Sequence, residues 1–149
     1  HTLRALLPAQ NLVIGAVLLP GVRAPRLITR ADLKRMGAGS VIVDVALDHG
    51  GICETSRPTS HTEPLYVEEG IVHYCVTNMP AAVAHTATLA LTQATLPCAL
   101  EIANRGLRDA VAHDANLAAG LQTFAGNVTH AGLARDLELP CVSPEQALS

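Results

Sequence analysis

The stretch that most constrains this chain runs from Ser40 to Gly51, Ser-Val-Ile-Val-Asp-Val-Ala-Leu-Asp-His-Gly-Gly. Seven of its first eight side chains are apolar or small, and four are valine or isoleucine. That is the composition of a strand covered on both faces of a parallel sheet. Asp44 is the one interruption. Alternation along the strand puts Ile42, Asp44, Ala46 and Asp48 on one face, with Val41, Val43, Val45 and Leu47 on the other. Asp48 then leaves the strand at its carboxyl end, where ligands bind in open α/β sheets, and Gly50 and Gly51 let a ligand approach the backbone. An aspartate before two glycines is also an ordinary turn former, and the pattern alone leaves both readings open.

The neighbouring segments extend this strand into a sheet. Leu12 to Leu19 is an apolar run stopped by Pro20-Gly21, which reads as a second buried strand. Before it, Leu3 to Gln10 reads as the tail of a helix closed around Pro8. Thr29 can cap a helix from Arg30 to Met36, with Asp32 in its first turn and Gly37 just past its end. Strand, helix, strand over this distance is a right-handed βαβ crossover with parallel strands. Pro58, Pro64 and the polar residues around them predict an irregular connection from Ile52 to Gly70. A third strand, Ile71 to Val76, ends at Thr77-Asn78-Met79-Pro80. Parallel pairing brings Leu19-Pro20-Gly21, Asp48-His49-Gly50-Gly51 and Asn78-Met79-Pro80 to one edge, the best site the chain offers.

After Pro80 the composition shifts to alanine, leucine and threonine as far as Asn104, predicting one long helix, kinked or divided at Pro97 and closed by Gly106. Shorter helices are expected over Leu107–His113 and from an Asp114 cap to Ala119. A hairpin is expected within Leu121–Val128 around Gly126-Asn127, followed by a helix His130–Leu137 capped by Thr129. The fold class is α/β.

Composition narrows the function. The 149 residues, enough for one ordinary domain, carry a net charge of −3 and 2% aromatics, which provides neither a basic footprint for nucleic acid or an anionic membrane nor a base-stacking surface. Cys53, Cys75, Cys98 and Cys141 lack any Cys-x-x-Cys pairing and read as reduced thiols in a cytoplasmic protein. The longest apolar runs are too short or too diluted to span a membrane. The sequence begins at His1 with no leader-like segment, so a piece of a longer chain is expected.

No Gly-x-Gly-x-x-Gly or Walker loop is present, and no Gly-x-Ser-x-Gly elbow. The seven histidines, His1, His49, His61, His73, His85, His113 and His130, form no i, i+4 pair, so no metal site is expected. His49 reads either as a proton shuttle or as an exposed turn histidine. Arg57 reads either as a grip on a ligand anion or as a solvated loop arginine.

Five segments resemble alanine dehydrogenase in the order of that family: Leu12-Val-Ile-Gly-Ala-Val-Leu-Leu-Pro-Gly, Gly39 through Gly51, Glu54-Thr-Ser-Arg-Pro-Thr, His73-Tyr-Cys-Val-Thr-Asn-Met-Pro and Leu89-Ala-Leu-Thr-Gln-Ala-Thr-Leu-Pro. The related proton-translocating transhydrogenase α subunit fits the Glu54 segment less well. The resemblance implies a cytoplasmic homo-hexamer that converts L-alanine reversibly to pyruvate and ammonium with NAD. It matches Asp48 to the family's active-site aspartate. It matches Val17, Leu18, Val45, Ala46, Leu47, Asp48, Arg57, Val76, Thr77, Asn78 and Met79 to the clasp on the cofactor.

The resemblance also implies a division of the chain. Residues 1–80 would be the distal half of a Rossmann-type NAD-binding domain, and 81–149 a connecting long helix with the C-terminal part of a substrate domain. The family's glycine loop, catalytic histidine and carboxylate-holding residues would precede His1, leaving this stretch inactive alone. Ala84-His85 stands where the family usually has Pro-Arg, and Cys98 where it has tyrosine, which affects helix packing rather than chemistry. A non-catalytic folding or oligomerisation module is the reading from a different class.

Overall fold

The computed structural model describes residues 2–149, so His1 lies outside it. Two compact units are present: the residues up to Leu19 with Arg23–Ala82, and Pro20–Val22 with Val83–Ser149.

In the first unit the β-branched runs become the strands β1 (Leu12–Gly15), β2 (Val41–Asp44) and β4 (Ile71–Tyr74), and a further strand, β3 (Leu65–Glu68), completes the sheet in the order β1-β2-β4-β3. β1 and β4 both pair parallel to β2, as the crossover pattern requires, whereas β3 runs antiparallel to β4. The expectation of an irregular 52–70 segment is corrected here. Leu65 to Glu68 turns back on β4 through Glu69 and Gly70, both at positive φ, the geometry of a two-residue hairpin turn.

One face of the sheet is packed. Ile42 and Ile71 meet Leu7, Ile28, Leu33, Met36, Ala46, Ile52 and Cys53 in a single core, with Val13 and Val17 half-buried against it. The opposite face is open. Register places Leu12, Val41, Val72 and Val67 in one row and Ile14, Val43, Tyr74 and Leu65 in the next, none of them fully buried. The buried Leu12–Leu19 strand is therefore a correction. Only Leu12–Gly15 is strand, and Leu12, Ile14, Leu18 and Leu19 are exposed, because β1 lies at the edge of the sheet and none of the described residues buries that face.

Between β1 and β2, Thr29 caps the helix α2, which spans only Arg30–Leu33 before loosening into turns. The helical tail near the start is present as α1 (Thr2–Leu6) and a 3₁₀ turn Leu7–Ala9.

The second unit is mostly helical. α3 (Ala84–Arg105) is a 22-residue helix that Pro97 does not divide. It ends at Gly106, whose N–H donates to Ile102 O. Nearly every residue of α3 is exposed. α4 (Leu107–His113) and α5 (Ala115–Gly120) follow, the latter capped by Asp114. The short hairpin β5 (Thr123–Phe124) and β6 (Asn127–Val128) turns through Ala125-Gly126 rather than Gly126-Asn127. α6 (Ala131–Leu137) is capped by the His130 ring, which accepts from Leu133 N–H. Thr129, the expected cap, instead donates to Leu121 O. A last helix, α7 (Pro144–Leu148), starts on a capping box of Ser143 and Gln146. No helix among the described residues is long and apolar enough to cross a membrane.

Candidate active site

Parallel pairing of β1, β2 and β4 sends their carboxyl ends to the same edge of the sheet. What leaves β2 there is not an extended segment. The strand stops at Asp44 and the chain winds into a 3₁₀ turn, Val45–His49. The expected alternation through Asp48 is thereby corrected: beyond Asp44 the spacing is three rather than two, since side chains three apart eclipse in a 3₁₀ turn. Val45 and Asp48 stand on the exposed side, while Ala46 and Leu47 point into the protein. Of the four, Val45 and Asp48 can present side chains to a ligand; Ala46 and Leu47 have their backbone to offer.

Two glycines close the turn. Gly50 adopts φ 103°, its N–H donating to Leu47 O, while Gly51 N–H donates to Ala46 O. This pair of bonds is a Schellman closure, which needs a left-handed residue. The closure fixes the position of Asp48 at the tip. His49 is exposed and its carbonyl accepts from Ala24 N–H at 2.7 Å.

Asp44 is fully buried beneath this turn. Its Oδ2 accepts from Ile52 N–H at 2.8 Å and from the Ser56 hydroxyl at 2.5 Å. Its Oδ1 has no hydrogen-bond partner among the described residues.

Arg57, next to Ser56, is exposed with its guanidinium 3.9 Å from the centre of the Tyr66 ring. Such a placement orders the cation over the ring face. Tyr66 is fixed in turn: its hydroxyl donates to Thr55 O at 2.8 Å and accepts from Arg57 N–H at 3.0 Å, and its ring stacks on His73 at 4.9 Å. The phenol's single proton is committed to Thr55, so the Cys75 thiol, 3.4 Å away, is the donor to it. Burial pushes both the Tyr66 phenol and the Cys75 thiol above their ordinary values, so both stay neutral. Below them, Ile71 O can only accept, so His73 Nδ1 carries the proton and Nε2 accepts from the Thr55 hydroxyl at 2.9 Å.

After β4, Val76 is buried and bridged to Thr59, while Thr77 and Asn78 are exposed and Met79 is half-buried. Asn78 has φ 52°, and its carbonyl accepts from Ala81 N–H and from His61 Nε2–H. Of the residues matched after β1, Val17 packs on the core and Leu18 is exposed. Sequence reasoning passed over Asp44 and Tyr66. Asp44 had a signal, a lone acid in an apolar strand; Tyr66 lay in the segment expected to be irregular. The open groove walled by α4, α5 and α7, about 680 Å³, is lined by none of the residues matched to the cofactor clasp.

The family described as alanine dehydrogenase/PNT, C-terminal domain, matches residues 1–131. Alanine dehydrogenase 2 of Staphylococcus aureus strain USA300 is 52% identical over 139 residues, covering 93% of this chain and 37% of the relative. The protein of the same name from strain COL aligns identically. A solved L-alanine dehydrogenase superposes with a TM-score of 0.74 at 46% identity, covering 92% of this chain and 38% of that one. A transhydrogenase from Sinorhizobium meliloti reaches 0.54 at 32% identity over 59% of this chain and 25% of its own. The chain thus spans little more than a third of the relatives it matches. With residues 1–131 matched, it belongs to the alanine dehydrogenase/PNT C-terminal domain family.

Proposed function

We propose that these residues are the C-terminal portion of an NAD-dependent alanine dehydrogenase, a cytoplasmic homo-hexamer that deaminates L-alanine oxidatively and reversibly to pyruvate and ammonium. In this reading residues 1–80 form the distal half of the dinucleotide-binding domain, and 81–149 the long connecting helix and the last part of the substrate domain. The single observation that carries the reading is the 3₁₀ turn after β2. It sets Val45 and Asp48 side by side at the edge where β4 also ends and Asn78-Met79 follow. Coverage and identity favour this enzyme over a transhydrogenase, at 92% and 46% against 59% and 32%.

The donor set fits one end of a dinucleotide. Val45, Leu18 and Met79 offer apolar surface to a flat ring, and Arg57 offers a fixed cation. The phosphates have no cradle in this sheet. At the N-terminus of α2 the Arg30 N–H already donates to the Glu54 carboxylate and the Asp32 N–H to the Thr29 hydroxyl. NAD, when bound, supplies the hydride acceptor. The chain's own residues do the rest. Val45 and Met79 exclude water from the reacting face, Asp48 orients the substrate nitrogen or a water and moves a proton at its carboxylate, and Arg57 holds an anionic group.

The test is Asp48→Asn in the full-length protein. Turnover on alanine is expected to fall about two to four orders of magnitude, with NADH affinity changed far less. Turnover within threefold of wild type rejects the assignment. A non-catalytic module is the outcome if the full-length protein forms no NADH from alanine.

A further inference from the structure

Asp44 carries a carboxylate with no exposed surface in the middle of an apolar strand. Groups of that kind are retained where they are tied to partners or to a function. Asp44 precedes the turn and both of its donors follow it. Ile52 follows the Gly50-Gly51 closure, and Ser56 precedes Arg57. One carboxylate therefore spans the base of the loop that carries Asp48 at its tip and grips the residue that leads into Arg57.

There is no slack around this tie. A Cβ on Gly51 would stand 2.8 Å from Asp44 Oδ2 and 2.7 Å from Ser56 Cβ, and Gly51 has φ +76°. Ile52 fills the space above Gly15, where a Cβ would come within 2.1 Å of its Cδ1. The carbonyl of Ile52 also accepts from Leu27 and Ile28 N–H. Backbone bonds at His49, Gly50, Gly51 and Ile52 thus hold the loop itself, and the Asp44 side chain is what ties its base to Ser56.

We infer that Asp44 is a positioning residue. Through Ile52 and Ser56 it sets Asp48 and Arg57 at a fixed separation, so that the group moving a proton and the group holding an anion meet one substrate together. The inference rests on the active-site reading of Asp48. A misplacement of about 1 Å in such a pair lowers turnover on the order of 100-fold. Asparagine can offer one oxygen to both donors, so the tie survives Asp44→Asn and is lost in Asp44→Ala.

The experiment compares Asp44→Asn, Asp44→Ala, Ser56→Ala and Asp48→Asn in the full-length protein, with turnover expressed per folded active site and amide exchange followed across Gly50–Ser56. Asp44→Asn is expected to keep turnover within about fivefold of wild type. Asp44→Ala should lose about 100-fold and Ser56→Ala about 10-fold. In both weakened variants exchange at Gly51 and Ile52 should speed up while the KM for alanine and the NADH affinity stay within about threefold. Should Asp44→Ala fail to fold, Ser56→Ala decides alone. Turnover within twofold of wild type in Ser56→Ala overturns the inference, as does a fall in turnover without faster exchange. If Asp48→Asn is itself within threefold of wild type, the active-site reading fails. If Asp48→Asn is inactive while Ser56→Ala is silent, the tie alone is wrong.

Discussion

At the scale of single residues, the turn after β2 depends on backbone conformations that few side chains accept. Gly51 combines φ +76° with contacts under 3 Å to Asp44 and Ser56. Gly51→Ala is expected to destabilise the protein by about 1–3 kcal/mol. Urea denaturation measures this, and a loss below about 0.5 kcal/mol would mean that the loop relaxes around a methyl group. Asp48 and its two glycines were legible as a feature of the sequence because turn chemistry is local. The direction of Asp48 was not. The strand ends four residues earlier than alternation implies, and a change of period from two to three inside one apolar run leaves no mark in hydrophobicity. Asp44 looked like a flaw in a strand. Its role appears only when Ile52 and Ser56 fold back onto it, 8 and 12 residues downstream.

Among elements, α2 shows how local chemistry carries through. Thr29 and Asp32 form a reciprocal capping box, with Asp32 Oδ2 accepting from Thr29 N–H at 3.0 Å and from its hydroxyl at 2.7 Å. Those bonds to Thr29, helped by the Arg4 guanidinium at 3.3 Å, hold the Asp32 carboxyl below its ordinary value of 3.8. Thr29→Ala is expected to cost about 1 kcal/mol near neutral pH. Because the folded state lowers this pKa, the contribution is present above 3.8 and disappears as pH falls through the depressed value. The gap between wild type and Thr29→Ala, measured by denaturation, should therefore narrow as the medium is acidified. A gap that stays unchanged as pH falls from neutral to well below 3.8 would remove Asp32 from the account.

The caps at Asp114 and Gly106 were equally legible, as was the Leu107–His113 helix. β3 was not, since Leu65–Glu68 is four residues beside Pro64 and its hairpin turn begins with a glutamate in place of the usual asparagine or glycine. α7 was missed although Ser143-Pro144-Glu145-Gln146 carries a readable capping box. At α6 the choice between Thr129 and His130 was settled by Leu121, a partner that only the folded hairpin supplies.

For the whole molecule, the decisive fact is an apolar sheet face that the described residues leave half-buried or exposed. The rows Leu12-Val41-Val72-Val67 and Ile14-Val43-Tyr74-Leu65 cross all four strands, and Leu89, Leu91, Leu96 and Leu100 are exposed along α3. Contiguous apolar patches above a few hundred Å² associate. The 149-residue chain alone is therefore expected to self-associate in light scattering, and Ile14→Lys with Val67→Lys should reduce this without loss of the helical signal. A monodisperse wild-type monomer would show that the face does not recruit. The same chain should bind NADH weakly, because the turn after β2 can orient a ring but the Arg30 and Asp32 amides of α2 are already taken. Micromolar affinity in a fluorescence titration would mean that the strand-end residues suffice.

β3 also gives the sheet a direction of growth. Parallel strands arrive one after another by crossovers, and the reversal at Glu69-Gly70 ends that series on one side, where Pro64, Glu68 and Glu69 guard the margin and Arg30 pairs with both acids. The other side has no such terminus. Leu12, Val13 and Ile14 bear neither charge nor proline. The sheet is in effect a ruler with one finished end, and any strand that lengthens it must be cut to the length and register of Leu12–Gly15.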